Sequence, residues 1–192
     1  MKSHPLLRNR KSKGFGLLEV ILVFALVIGA AAVVFTVFQS AKPSADASNE
    51  GSNISTIATN LKSTYGISNS YVGLTSTSAI SAQVIPASMV SGTGSSVAIN
   101  SGWGTVTVAA DAGGSSAAVC ANAGRCFDIT YNSVPQAACL KLVQGIAGFF
   151  DDVTVDTADI FTAGKLDSAK AVTACSGGTS GAYSGTLVFI GH

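Results

Sequence analysis

The sequence has little charge and almost no histidine. Only 11% of its 192 residues are charged, against about 25% in an average soluble domain. The two histidines are His4 and His192, so a mechanism that needs a histidine base or several histidine ligands has few candidates. A serine or cysteine nucleophile also needs a base nearby. The sequence therefore predicts that the protein is not an enzyme and needs no cofactor.

Acidic residues are absent from the first thirteen positions, which hold five of the eleven basic residues. The rest of the chain has six basic residues against ten acidic ones. A protein that binds nucleic acid by neutralising phosphates needs a positive surface instead. We therefore expect no nucleic-acid partner.

A long apolar run follows this basic segment. From Val20 to Phe38, nineteen residues contain nothing more polar than Thr36, and a helix of this length rises about 28 Å, close to the hydrocarbon thickness of a bilayer. The basic flank places the N-terminus in the cytoplasm and the later residues across the membrane. A buried helix of a soluble protein is the alternative, but such a helix usually has a polar face.

An ordinary secretory signal also has a basic segment followed by an apolar one. The run here is longer than the roughly 7 to 15 apolar residues of such a signal. It also has a carboxylate, Glu19, at its start, where an unpaired charge costs a few kcal/mol in lipid. We therefore expect Glu19 to have a partner.

The helical pattern continues beyond the apolar run. Its apolar residues recur at spacings of 3, 1, 3 and 4, which is typical of one helix face: Ile54, Ile57, Ala58, Leu61 and Tyr65. Pro43 is expected to bend or briefly interrupt the helix, and Gly66 to end it. The sequence predicts one long helix over residues 15–66. Two helices joined by a flexible linker at 40–52 are the alternative.

Residues 67–192 predict a single globular domain with an antiparallel sheet. Apolar residues alternate at 105–109 and 127–131, and a short apolar run occupies 187–190, as in strands. A second helix is predicted from Pro135 to Phe150. The fold class is therefore α+β, with the second half of the long helix packed on the globular domain.

Around the start of the apolar run, several features occur together. A basic leader ends at Gly14, Phe15 follows, an acid occupies the fifth position after Gly14, and the apolar run begins. This pattern resembles the processing site of a type IV prepilin. The resemblance implies that a prepilin peptidase removes leader 1–14 after Gly14 and that the new N-terminal Phe15 is methylated. We further expect the ammonium group of Phe15 in an incoming subunit to pair with Glu19 during assembly.

Three further segments, 85–89, 100–104 and 127–139, are similar in order and sequence to type IVb major pilins. The resemblance implies a pilin fold and a subunit that polymerises with itself through the apolar helix. It also implies inner-membrane assembly machinery as a partner, with a membrane precursor that becomes an extracellular pilus for adhesion, aggregation or mating contact. A membrane-tethered binding module, a minor pilin and a pseudopilin are the alternatives.

Four cysteines follow the apolar run, on the side of the membrane where bacteria form disulfides. They are Cys120, Cys126, Cys139 and Cys175. The residues alone allow three connectivities. The pilin resemblance favours a bond between Cys139 and Cys175, which would close an exposed segment at 151–174. Cys120 and Cys126 would then bond to each other and close a small ring. The absence of a nearby histidine disfavours zinc.

One acidic cluster has the composition of a calcium site but not its spacing. It contains Asp151, Asp152, Asp156 and Asp159. The spacing matches no EF-hand loop. Because charge clusters usually reflect exposure, we predict a solvated loop face here.

Overall fold

The computed structural model describes residues 16–114, 117–177 and 184–192. The chain divides into two compact units, Met1–Ala41 and Lys42–His192. We call the second unit the head. Helix α1 covers Leu17–Tyr65 and contributes residues to both units. It is not interrupted at Pro43, and residues 40–52 are helical rather than a flexible linker.

The head contains three more helices and nine strands among its described residues. The helices are α2 Ser76–Ser81, α3 Gln136–Ile146 and α4 Ser168–Cys175. The strands are β1 Val90–Ser91, β2 Ala98–Asn100, β3 Thr105–Ala110, β4 Phe127–Pro135, β5 Asp152–Val155, β6 Ala158–Asp159, β7 Phe161–Thr162, β8 Lys165–Leu166 and β9 Ser184–Gly191. Short 3-10 turns occur at Gly66–Ser68, Ala87–Met89, Gly94–Ser96, Ala118–Cys120 and Ala147–Phe149.

Seven of the strands form one antiparallel sheet in the order β1-β2-β3-β4-β9-β5-β6, while β7 and β8 form a separate hairpin. The three segments predicted as strands are β3, β4 and β9, which are neighbours in the centre of the sheet. Their alternating apolar residues form one buried face, where Val108, Ile129 and Phe189 are cross-strand neighbours. The α+β prediction is confirmed.

The core of the head combines this inner sheet face with apolar faces of α1 and α3. The predicted stripe of α1 is buried up to Leu61, and burying a side chain such as Ile54 or Ile57 completely stabilises the fold by about 2 kcal/mol. Gly51 lets α3 approach α1 closely, since a Cβ there would lie 3.2 Å from Cγ2 of Ile146. The glycine therefore serves helix packing rather than a linker.

Two predictions for the C-terminal half need correction. Helix α3 begins after Pro135 as expected but ends at Ile146, and Phe150 is buried beyond the 3-10 turn that follows. Residues 151–159 are not a solvated loop face, because β5 pairs with β9 and buries Asp152 to 1% exposure. Among the described residues no cluster of three acidic, histidine or cysteine side chains could hold a metal ion.

Helix α1 also buries a carboxylate, Glu50, within the head. Its Oε1 accepts a hydrogen bond from the Gly102 N–H at 2.8 Å, and its Oε2 accepts from the Tyr131 hydroxyl at 3.3 Å and from Asn53 Nδ2 at 3.2 Å. Burial and the nearby Glu50 raise the pKa of Tyr131 well above its usual value, so this hydroxyl keeps its proton. Glu50 thus links α1 to β4 and to the turn at 101–104.

We expect Glu50→Ala to destabilise the head by about 3 kcal/mol, because the Gly102 N–H and the Tyr131 hydroxyl lose their acceptor in a buried site. Glu50→Gln keeps one carbonyl oxygen and should lose only about 1 kcal/mol. Urea unfolding of the detergent-solubilised chain, followed by circular dichroism, measures both. Equal losses for the two variants would show that these hydrogen bonds contribute little.

Candidate functional site

The N-terminal unit presents an apolar helical surface. The segment Leu17–Phe35 has a mean hydropathy of 2.8 and is long enough to cross a membrane, and every one of its side chains is exposed within the unit. A continuous apolar surface of this size does not remain in water. Lipid or other apolar protein segments must therefore cover it.

Glu19 lies in the first turn of α1, next to the start of this surface. Its backbone N–H donates to the Gly16 carbonyl at 2.9 Å, and a carboxylate in a first helical turn interacts favourably with the helix dipole. Val20, Val23 and Phe24 surround a shallow groove beside Glu19. The expected cleavage and methylation residues, Gly14 and Phe15, lie outside the described residues.

The two disulfides of the head are those that the resemblance implies. One joins Cys139 of α3 to Cys175 of α4 and closes a loop with a sequence separation of 36. The other joins Cys120 to Cys126, with a separation of 6. All four sulfur-bearing side chains are buried. The larger bond therefore fastens the segment between α3 and α4 to the core.

This segment is folded rather than loose. The Asp167 carboxylate caps α4 by accepting from the Ala169 and Lys170 N–H groups at 3.0 and 3.2 Å. These bonds, first of all that from Lys170, lower the pKa of Asp167 and keep it charged. The Lys170 ammonium donates to the Phe161 carbonyl at 3.0 Å and so connects α4 to the β7–β8 hairpin. The segment between α3 and α4 therefore has a fixed shape.

A groove of the head runs between α1 and α3 and has a volume of about 380 Å³. Small residues of α1, including Ser44, Ser48 and Gly51, form one wall, and Lys141 and Phe149 contribute to the other. Lys141 Nζ donates to the Ser44 hydroxyl across it. The lining has hydroxyl groups and one ammonium group but no carboxylate, histidine or cysteine.

Comparison with known proteins identifies the family. The family model described as PilS N terminal matches residues 44–190, most of the head. The chain belongs to this PilS family. Among curated proteins no sequence matches significantly.

Two solved structures share the fold of this PilS-family chain. The type IV b pilin from Salmonella typhi is 27% identical, with a TM-score of 0.54, over 74% of this chain and 97% of that one. TcpA, a type IV pilin from Vibrio cholerae El Tor biotype, is 16% identical, with a TM-score of 0.53, over 77% of this chain and 99% of that one. The chain thus has the type IV pilin fold and is most similar to type IVb pilins, which confirms the family prediction.

Sequence reasoning missed Glu50, although the pattern contains a signal for it. Glu50 lies three residues after Ala47 and four before Ile54, so it occupies the apolar stripe of α1. An acid within such a stripe is buried when the helix packs, and it then needs hydrogen-bond donors. No comparable signal in the sequence identifies Gly102 and Tyr131 as the donors, because they are 52 and 81 residues away.

We expect the two disulfides to contribute unequally to stability. A disulfide lowers the chain entropy of the unfolded state. By this effect the bond between Cys139 and Cys175 should stabilise the head by about 4 kcal/mol, and the small ring by about 2 kcal/mol. Replacing Cys139 and Cys175 together by alanine should therefore lower the urea midpoint more than the matched pair Cys120→Ala and Cys126→Ala. Unfolding of both double variants under non-reducing conditions tests this order, and the reverse order would contradict it.

Proposed function

We propose that the protein is a structural subunit of a type IV pilus and polymerises through the apolar part of α1. The observation that carries the proposal is the combination, in one chain, of a type IV pilin head and a fully exposed apolar segment, Leu17–Phe35. Both similar structures are those of type IV pilins. The partner of this chain is then other copies of itself.

The mechanism is a transfer of the apolar helix between two apolar surroundings. Before assembly the helix spans the inner membrane, with the head in the periplasm. During assembly the inner-membrane machinery extracts the subunit, and its helix packs among the helices of other subunits inside the fibre. Close packing replaces lipid contacts, so the segment Leu17–Phe35 does not meet water in either state. Repeating one heterologous contact along a helical path gives an open filament with the heads outside.

Processing precedes this assembly. Prepilin peptidase removes leader 1–14 and the new N-terminal amine of Phe15 is methylated. The positive charge of that amine is then placed four residues before Glu19, and in a staggered stack it meets the Glu19 carboxylate of a neighbouring subunit. Buried opposite charges specify geometry more than they stabilise it. The pair would therefore define the axial register of each incoming subunit.

A membrane-tethered binding module is the second candidate. The exposed apolar helix supports it equally well, but a simple anchor has no use for Glu19 in its first turn. A tethered hydrolase has less support. The described cysteines are all in disulfides, so none of them offers a free thiol as nucleophile. Under the first proposal, in which the chain forms an extracellular fibre, the fibre would serve adhesion, aggregation or mating contact.

Mass spectrometry of the native protein tests processing. We expect a mature chain that begins at Phe15 and carries one additional methyl group, because the basic leader ends at the Gly14 to Phe15 junction. A Gly14→Val variant should remain uncut and fail to form fibres. Retention of residues 1–14 in the native protein, or a cut near Ala30 to Ala32 as by an ordinary signal peptidase, would refute the proposal.

Glu19 variants test the register mechanism. Glu19→Ala should be inserted, processed and folded but should yield at least tenfold fewer surface filaments, because the incoming ammonium group loses its partner. Glu19→Asp should be milder, since it keeps the charge. Thr36→Ala is the matched control, a polar-to-apolar change in the same apolar run. Shearing and quantification of filaments measures the yield, and a normal yield from Glu19→Ala would exclude the pairing role.

A further inference from the structure

The charged side chains of the head are distributed unequally between its surface and its interior. All lysine and arginine side chains of residues 42–192 are exposed. Among the acidic residues in the same range, only Asp156 is exposed, and the others are buried or partly buried. Within the described residues, no lysine or arginine forms an ion pair with a carboxylate, since the ion pair of the head joins His192 to Asp151. Direct contact with acids therefore does not neutralise the exposed cations.

Two of these cations flank the groove between α1 and α3. Lys141 lines the groove and donates to the Ser44 hydroxyl. An ammonium group has three N–H donors, so this bond leaves Lys141 able to bind a carboxylate. The Lys62 ammonium donates to the carbonyl of Phe149, another lining residue, at 3.4 Å. No carboxylate lines the groove, so its charge favours a negatively charged occupant.

The base of the groove is apolar. Leu142 and Ile146 of α3 contribute buried side chains to it, and the ring of Phe149 is 58% exposed beside them. Covering such an apolar surface is favourable. Serine hydroxyls and the glycines Gly51 and Gly145 complete the lining, so the walls are low and leave room for another chain segment. The groove therefore suits an occupant that combines one negative charge with small apolar groups.

The β5–β6 hairpin of the head has this combination. Val155 and Ala158 are paired, so Asp156 and Thr157 form the turn between the two strands. Asp156, Thr157 and Ala158 are all exposed. The Asp156 carboxylate accepts from the Thr186 N–H at 2.9 Å, and the Asp156 N–H donates to the Thr186 carbonyl at 2.7 Å. The sheet thus holds the carboxylate at the hairpin tip, beside two small side chains.

We propose that the β5–β6 hairpin of one subunit binds in the α1–α3 groove of the next subunit and pairs Asp156 with Lys141. Charge complementarity selects this occupant, because Asp156 is the exposed acid of the described head and the groove holds cations without an acid. The hairpin does not line the groove of its own chain. The contact is therefore heterologous and repeats from copy to copy. This inference rests on the proposed function, for which it assigns a contact between heads.

Charge reversal on both sides tests the contact. Lys141→Glu and Asp156→Lys should each lower the yield of sheared fibres about tenfold, because like charges then face each other. The double variant should recover to within about twofold of the wild type, since the pair is restored with opposite sign. Arg125→Glu is the matched control, the same kind of change at an exposed cation outside the groove, and should assemble normally. Circular dichroism in detergent checks that each variant is folded.

Cross-linking of wild-type fibres tests the contact without a substitution. A carbodiimide condenses a lysine amine with an adjacent carboxylate to an amide, with loss of water. Cells shifted from ¹⁴N to ¹⁵N medium before assembly give fibres that contain subunits of both labels. Mass spectrometry should then find peptides that join Lys141 of one label to Asp156 of the other, which only a contact between two subunits can produce.

Three results would overturn this contact while fibres still form. They are the absence of the mixed-label link, a link from Lys141 to a carboxylate outside the hairpin, and a folded double variant that assembles no better than the single ones. The cross-link decides the question even if a charge-reversal variant fails to fold. A wild-type chain that forms no fibres at all would instead refute the proposed function, and this inference with it.

Discussion

The constraint on which this molecule depends is the need to keep one apolar helical surface away from water. The segment Leu17–Phe35 is exposed within its unit, and its transfer from an apolar medium to water is unfavourable in proportion to its area. A membrane and a bundle of identical helices both satisfy the constraint. In the function that we propose, this equivalence would let the chain pass from a membrane to a fibre without a change of fold.

The head has a different requirement in the assembly that we propose, because it would have to be folded both before and after the transfer of the helix. Its sheet is completed by β9, the last strand, which lies between β4 and β5. The bond between Cys139 and Cys175 ties α4, the last helix before β9, to α3. A disulfide and the pairing of β9 with β4 and β5 thus hold the C-terminal half of the head. Both lie within one chain.

The periodic spacing of apolar residues correctly predicted the elements in which buried residues recur at regular intervals. The stripe of α1 and the alternation in β3 and β4 each repeat over enough residues to identify the element and its buried face. Helices α2 and α4 were missed because they are short, six and eight residues long, and they depend on their caps at Thr75 and Asp167. Asp152 was misjudged because pairing between β5 and β9 buries it, and no pattern near Asp152 indicates a partner strand more than thirty residues away.

The residues of the candidate site were likewise predictable only where the pattern that identifies them lies within a few neighbouring positions of the sequence. Gly14, Phe15 and Glu19 form a pattern within six residues, so the sequence alone indicates them, whereas the structure describes only Glu19. The buried acids of the head depend on distant contacts. Glu50 is satisfied by N–H and O–H donors from three residues, while Asp128 lies next to another acid.

These two arrangements have different consequences for the head. A carboxylate bonded by three donors, as at Glu50, stabilises one packing of α1 on β4. Burial, with a smaller contribution from the charge of Asp111, raises the pKa of Asp128 to about 7, so the charge of this carboxyl group changes near neutral pH. In a protein with so few charges, one buried acid, Glu50, thus fixes the packing of the long helix on the sheet.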